Sequence, residues 1–273
     1  MAARDIRPSS VVAVLAALTA ALLLRSWLQL RLGNGGMAAT LAADLSYLPV
    51  PAVLTVLLFP LWRREKTFLA EQFRLDVLNL RLILRALAIG LLIRVLWWCQ
   101  LVAGISFGVY ASADAGAAVG PVFAFRCSSP NIVLLGFFVM AVLVPLIEEL
   151  VHRAYVQTAF ARHGAFVSIV LASIVFALFH RTGSWPLVFL IGLVLGFLYW
   201  STGSLWASVI SHATYNALVQ VDWRCLSGQW NPPMEDIPAV VPGISATALA
   251  VIALALLVHN LRGIATEAPA APR

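Results

Sequence analysis

Six polar side chains in the second half of the sequence carry the groups that amide hydrolysis requires. They interrupt hydrophobic stretches in three short motifs, and they are Glu148, Glu149, Arg153, His180, His212 and Asn216. A carboxylate can accept a proton from an attacking water molecule, and an imidazole can help to position that water. The N–H groups of histidine and asparagine can stabilise the oxyanion of a tetrahedral intermediate, and a guanidinium can orient a carboxylate. The set therefore predicts a hydrolytic site.

The spacing within each motif puts particular side chains on one face of a helix. Glu149 and Arg153 are four residues apart, as are His212 and Asn216, so each pair shares a face. Glu148 points roughly 100° away from Glu149 on a helix, which indicates different roles for the two carboxylates.

Each motif also has a purely structural interpretation. The first could be a helix end at the lipid headgroups with a Glu149–Arg153 ion pair, and His180 could be an interfacial residue. His212 and Asn216 could form an interhelical hydrogen bond that holds a bundle together. Because charged groups inside a membrane are costly unless they are paired, the occurrence of all three motifs together favours a functional site.

Composition places these motifs in a membrane. Of the 273 residues, 62% are hydrophobic and only 11% are charged, and the mean hydropathy is +0.93. A soluble domain has about 25% charged residues and could not bury so much apolar surface in one core. Soluble enzymes, disordered chains and nucleic-acid binders are therefore excluded. The basic residues behind the net charge of +6 are interpreted as signals of membrane topology.

The hydrophobic runs predict an all-α, polytopic transmembrane helix bundle with about eight spans, since about 20 apolar residues cross the hydrocarbon region. The predicted spans are 10–29, 38–62, 80–103, 131–152, 165–180, 185–200, 204–223 and 240–261. Gly192 and Gly196 form a G-x-x-x-G motif in the sixth span, which predicts close packing of helices.

Basic residues predict the orientation of this bundle. Four of them crowd the segment after the second span, and they are Arg63, Arg64, Lys66 and Arg74. The positive-inside rule places that segment, and with it both termini, in the cytoplasm. A full-length fifth span would then carry His180 to the outer side, away from Glu148. The two residues can meet only if helices are short, tilted or broken, or if the site is a deep cavity.

Two cysteines lie in the predicted outer loops. Cys127 falls in the loop 104–130 and Cys225 in the loop 224–239. Thiols in an oxidising compartment could pair as a disulfide, and free cysteines are the equally open alternative.

The motifs, taken in order, resemble a known family. E-E-x-x-x-R starts at Glu148, F-x-x-x-H ends at His180, and H-x-x-x-N starts at His212, with the run TGSLWAS shortly before the third motif. This arrangement resembles the type II CAAX prenyl endopeptidases, also called the CPBP or ABI family of intramembrane glutamic proteases. The resemblance covers 131–219, flanked by N-terminal transmembrane helices in 1–130. An outer loop, a last helix and a disordered tail follow in 220–273, and we expect one membrane domain overall.

The resemblance implies an endopeptidase that cleaves a membrane-associated protein or peptide without a cofactor. Glu148 would activate the attacking water, which His180 would help to hold. His212 and Asn216 would stabilise the oxyanion, and the remaining pair, Glu149 and Arg153, would orient the site. The resemblance also implies a multi-pass protein, which we expect in a prokaryotic inner membrane. It does not imply a substrate sequence, a prenyl group or an oligomeric state.

The sequence departs from the family pattern at two positions and leaves other functions open. His152 stands where phenylalanine is common, and Ala154 where glycine is common. A zinc-dependent protease is one alternative, with Glu148, His152, His180 and His212 as ligands. A non-enzymatic bacteriocin-immunity or scaffold protein and a transporter are two further alternatives. No inverted repeat supports the transporter.

Overall fold

The fold is built from helices alone in the residues that the computed structural model describes, which are 6–109, 130–180, 182–220 and 240–267. This confirms the predicted all-α class. The helices are α1 (Pro8–Asn34), α2 (Ala39–Tyr47), α3 (Pro49–Arg64), α4 (Lys66–Gln72), α5 (Leu80–Ser106), α6 (130–157), α7 (Ala165–Leu178), α8 (Trp185–Thr202), α9 (Leu205–Val219) and α10 (Val240–Glu267).

Among the described residues, six helical segments are long and apolar enough to cross a membrane. They are Pro8–Asn34, Leu41–Arg64, Leu80–Gly104, Asn131–Gln157, Thr182–Thr202 and Gly243–Ala265. The chain is therefore an integral membrane protein. Two of the about eight predicted spans are shorter than these six, since α7 has 14 residues and α9 has 15. At 1.5 Å per residue, each is only about 21–23 Å long.

The bundle exposes apolar side chains and buries polar ones. Leu23, Val56 and Ile252 are among the large apolar side chains that are exposed on its surface, whereas Glu149 and Arg153 are fully buried. A soluble protein shows the opposite distribution, so this arrangement is that of a chain whose surroundings are lipid.

Local sequence signals set the ends of the helices that carry the site. Gly164 has a φ of 91° and precedes α7, and Gly203, with a φ of 64°, ends α8 in the left-handed conformation that glycine adopts readily. Ser204 then caps α9, because its side chain accepts a hydrogen bond from the Trp206 backbone N–H. Only two residues, Gly203 and Ser204, therefore join α8 to α9.

Helix α6 alternates between α-helical and π-helical turns. The α-helical pieces Pro130–Phe137 and Val144–Glu149 are each followed by a π-helical piece, Phe138–Leu143 and Leu150–Gln157. Pro145 has no N–H for the preceding turn, which agrees with the widened helix just before it. Single π-helical turns are frequent at functional sites, and Glu148 and Glu149 lie between the two.

Glycines allow close approach of the helices around the site. A Cβ atom on Gly192 would lie 2.9 Å from Ser173 Cβ, and one on Gly196 would lie 3.0 Å from Gln157 Oε1. The prediction of close packing at the G-x-x-x-G motif is therefore confirmed. On the other side, Ser211 Oγ donates to the Ala86 carbonyl at 2.8 Å, which holds α9 against α5.

Candidate active site

Three helices bring the sequence-predicted residues together. Glu148 and Glu149 come from the middle of α6, His212 and Asn216 from α9, and His180 from the turn after α7. His180 lies two residues beyond the last residue of α7, and its backbone N–H donates to the Ala177 carbonyl. Because α7 is short, His180 lies close to Glu148. A short helix was one of the conditions under which the sequence allowed these two residues to meet.

Glu148 faces two imidazoles. Its Oε2 atom lies 3.9 Å from His180 Nε2 and 3.8 Å from His212 Nε2, and it has no hydrogen-bond partner among the described residues. These distances are too long for a direct hydrogen bond but suit a bridging water. The Glu148 side chain is 18% exposed and that of His180 is 30% exposed, so this side of the site is open to its surroundings.

Glu149 connects the other groups. Its Oε2 accepts from Arg153 Nε at 3.0 Å, with both side chains fully buried, and its Oε1 lies 2.9 Å from His212 Nδ1. The shared face of Glu149 and Arg153 that the spacing predicts is therefore present. The two adjacent glutamates differ in their surroundings, since Glu149 is held by an arginine and a histidine while Glu148 faces the open side.

The hydrogen bonds fix the tautomers of the two histidines. His180 Nδ1 lies 2.8 Å from the Phe176 carbonyl, which can only accept, so Nδ1 carries the hydrogen. His212 Nδ1 likewise donates to the Glu149 carboxylate. In a neutral ring the Nε2 atom then has a free lone pair. Both Nε2 atoms therefore accept hydrogen bonds from the space beside Glu148, unless a ring is protonated.

Asn216 has a partner on α6. Its Nδ2 donates to the Met140 carbonyl at 2.8 Å, within the π-helical piece Phe138–Leu143. This is the interhelical hydrogen bond that the sequence offered as an alternative to an oxyanion donor. An amide has two N–H donors, so this bond leaves the second one for another acceptor.

His152 has a separate set of contacts. Its Nδ1 lies 2.8 Å from the Glu148 carbonyl, and its ring packs edge-on against Phe176 and Phe179. Its buried Nε2 has no hydrogen-bond partner among the described residues. The contact with the Glu148 backbone supports the turn from which the Glu148 side chain projects.

The predicted zinc ligands do not all converge. Glu148, His180 and His212 surround one space, but the Nδ1 atom of His152 is used by a backbone carbonyl. Ligand atoms of one tetrahedral zinc lie about 3.3 Å apart, closer than the 3.8 and 3.9 Å found here. In the part of the chain that the structure describes, no group of three His, Cys, Asp or Glu side chains has metal-binding geometry. The zinc alternative remains a prediction.

Phe176 packs at the centre of the site. Its ring centroid lies 4.7 Å from that of His180 and 5.9 Å from that of His212, and the Arg153 guanidinium lies 5.0 Å from it. The aromatic ring thus contacts residues from all three motifs. A guanidinium over a ring face is attracted by the π-electrons, which helps to hold the buried Arg153.

Sequence analysis missed Tyr47, a residue of the N-terminal half that lies near Glu148. Tyr47 ends α2, is buried, and interacts electrostatically with Glu148. Its hydroxyl has no hydrogen-bond partner within the described ranges. A signal was present in the second predicted span, where the ionisable Asp44 precedes Tyr47 by three residues.

The predicted disulfide lies outside the described residues, since neither Cys127 nor Cys225 falls within them. Cys99, in α5, is a free and buried thiol.

Comparison with known proteins agrees with the resemblance read from the motifs. Residues 130–218 match the sequence model of the family described as type II CAAX prenyl endopeptidase Rce1-like. The match covers about a third of the chain and contains all six predicted site residues. Comparisons with curated proteins and with solved structures found no match.

Proposed function

We propose that the chain is a membrane endopeptidase that hydrolyses a peptide bond of a membrane-associated protein or peptide, with Glu148 activating the attacking water. One observation carries the proposal, namely the position of Glu148 Oε2 at 3.9 Å from His180 Nε2 and 3.8 Å from His212 Nε2. The segment that supplies these atoms also matches a family of endopeptidases.

The water site follows from the donors and acceptors. The Glu148 carboxylate and the Nε2 atom of a neutral His180 are acceptors, so the space between them favours a molecule that donates twice. A water there donates one hydrogen to Glu148 and the other to His180, which leaves an oxygen lone pair for attack. The open side formed by Glu148 and His180 gives such a water its access.

The oxyanion is assigned to His212. As an imidazolium, His212 donates through Nε2, and the Glu149 carboxylate at its Nδ1 stabilises the positive charge. Arg153 holds that carboxylate in place. Asn216 supplies a further donor through the N–H that does not bind Met140. Positioned donors of this kind are often the largest single contribution to catalysis.

With His212 an imidazolium throughout the cycle, the proton balance needs no other group. As the water oxygen bonds to the carbonyl carbon, its proton moves to Glu148. When the tetrahedral intermediate collapses and the C–N bond breaks, the protonated Glu148 gives that proton to the leaving amine. The products are a carboxylic acid and an amine, and Glu148 is ionised again for the next cycle.

We place the protein in a prokaryotic inner membrane with both termini in the cytoplasm. The basic residues Arg63, Arg64, Lys66 and Arg74 support this orientation because they follow the second span. We propose no cofactor and no nucleic acid as a partner.

Comparison of N-terminal and C-terminal peptides from wild-type and Glu148→Gln cells tests the function. Gln keeps the shape of the side chain but cannot accept the proton, so fragments present in wild-type cells should be absent from the variant. Asp76→Asn is the matched control, since Asp76 is an exposed carboxylate paired with Arg74. Identical peptide sets from wild-type and Glu148→Gln cells, with equal protein levels, would contradict the proposal and favour a scaffold. An uptake assay in vesicles tests the transporter alternative.

A further inference from the structure

A cavity lies away from the active site, at the junction of α5 and α10. It has a volume of about 500 Å³ and is lined by Leu80, Arg81, Leu84, Arg85 and Asn260. Two guanidinium groups contribute to its wall, which makes the wall basic.

Gly263 allows Arg85 to lie against this wall. Arg85 is half-buried, and its Nη1 donates to the Asn260 carbonyl at 3.4 Å. A Cβ atom on residue 263 would collide with the Arg85 guanidinium. Arg81 lies one turn before Arg85 and is exposed. The two planar guanidinium groups are thus adjacent on α5, and such groups bind phosphate oxygens through paired N–H donors.

An exposed apolar stripe continues from the cavity along α5. Leu80 and Leu84 line the cavity, and Leu87 and Leu91 follow on the next turns, with exposed fractions of 70%, 55%, 41% and 48% in that order. Residues at these spacings share one helical face. A ligand that fills the cavity with an anionic group would therefore have apolar surface beside it for an acyl chain.

We propose that this cavity binds the phosphate headgroup of an anionic phospholipid, with its acyl chain along the leucine stripe. A free phosphate would match the arginines but leave the stripe without a partner, so the lipid fits more of the site. Basic pockets between transmembrane helices are a recurrent form of such recognition.

Lipid binding to the purified, detergent-solubilised full chain tests the proposal, read by native mass spectrometry. Phosphatidylglycerol should bind more tightly than phosphatidylcholine with the same acyl chains. Arg81→Gln and Arg85→Gln should each weaken phosphatidylglycerol binding about fivefold. Arg63→Gln, an exposed arginine at the end of α3, is the matched control and should change nothing. If Arg63→Gln weakened phosphatidylglycerol binding as much as Arg81→Gln and Arg85→Gln do, the proposed site would be wrong. A general effect of charge would then explain the binding.

Two further measurements sharpen the test. One separates the position of the Arg85 guanidinium from its charge, and the other separates a lipid ligand from a free anion. Gly263→Ala keeps every charge but displaces the Arg85 guanidinium, so it should weaken phosphatidylglycerol binding about as much as Arg85→Gln does. Unchanged binding in Gly263→Ala would overturn the role of Arg85. Competition by millimolar inorganic phosphate as effective as that by phosphatidylglycerol would overturn the lipid assignment. Should Arg85→Gln fail to fold, the exposed Arg81→Gln still decides the result.

Discussion

Glu149 Oε1 lies 2.9 Å from His212 Nδ1, although 63 residues separate the two in the sequence. The same carboxylate accepts from Arg153 through its other oxygen at 3.0 Å. Glu149 therefore sets both the tautomer and the orientation of His212 from a fully buried position. In the proposed mechanism, this makes Glu149 a positioning residue, and its neighbour Glu148 is the glutamate that would face the reacting atoms.

We expect Glu149→Gln to lower kcat by about 10²- to 10⁴-fold, as removal of an orienting carboxylate does elsewhere, with little change in KM. The variant should also lose about 3–5 kcal/mol of stability, because it leaves the charge of buried Arg153 unpaired. Adding Arg153→Met should restore most of the thermal stability but not the activity. Steady-state kinetics and melting curves of the wild type and the two variants give both readouts, and full activity of Glu149→Gln would contradict the role.

The sequence predicted the all-α membrane bundle, and it singled out polar residues that the structure brings together. The residue types and spacings of Glu148, Glu149, His180 and His212 were sufficient for this because charged groups inside a membrane are rarely accidental. The hydrophobic runs predicted the all-α fold class. They could not show where a helix ends when the sequence around its end is also apolar. The fifth span was predicted to 180, whereas α7 ends at Leu178.

The sequence alone could not predict contacts between helices that are far apart along the chain. Asn216 could be an oxyanion donor or an interhelical contact, and only the packing of α9 on α6 brings it to the Met140 carbonyl. Tyr47 was missed for the same reason, since Asp44 marks its span as unusual but only the packing of α2 brings Tyr47 near Glu148. The π-helical turns of α6 also have no periodic signature that separates them from α-helix.

His180→Ala and His212→Ala should each abolish detectable proteolysis. Removing one oxyanion donor lowers kcat by about 10²–10³ in measured cases, and loss of His180 removes an acceptor for the water. His163→Ala and His259→Ala are matched controls, because both histidines are exposed and lie outside the site. Cleavage assays on membranes with equal amounts of each variant give the comparison. Wild-type rates in His212→Ala would contradict the oxyanion assignment.

Chelation should leave activity unchanged if Glu148 activates water without a metal. Purified protein treated with a strong zinc chelator and then desalted should retain its rate, and elemental analysis should find no stoichiometric metal. Inactivation that added zinc reverses would instead support the zinc alternative. Glu148, His180 and His212 would then need to move closer together, and His152 would need to release the Glu148 carbonyl.

Gly192→Ala should destabilise the bundle by about 1–3 kcal/mol, the usual cost of overpacking. The added Cβ would lie 2.9 Å from Ser173 Cβ and 3.1 Å from Ser173 Cα, and a backbone atom cannot move away as a flexible side chain can. Gly183→Ala is the matched control, since a Cβ there would meet nothing within 4 Å. Thermal unfolding in one detergent measures the difference, and equal melting temperatures for the two variants would contradict close packing at Gly192.

The last prediction is a disulfide between Cys127 and Cys225. Both cysteines fall in loops that the basic residues place outside the membrane, and the bridge would tie the loop before α6 to the loop after α9. Those helices carry Glu148 and His212, so the link would hold two parts of the site together. Closing a loop of roughly 100 residues stabilises by about 4–5 kcal/mol in the chain-entropy model, an upper guide for a chain that the membrane already restricts.

Alkylation with and without reductant, followed by mass spectrometry, detects the bridge between Cys127 and Cys225. Free thiols at both positions in protein from an oxidising compartment would exclude it, and labelling of either cysteine only from the cytoplasm would also reverse the predicted topology.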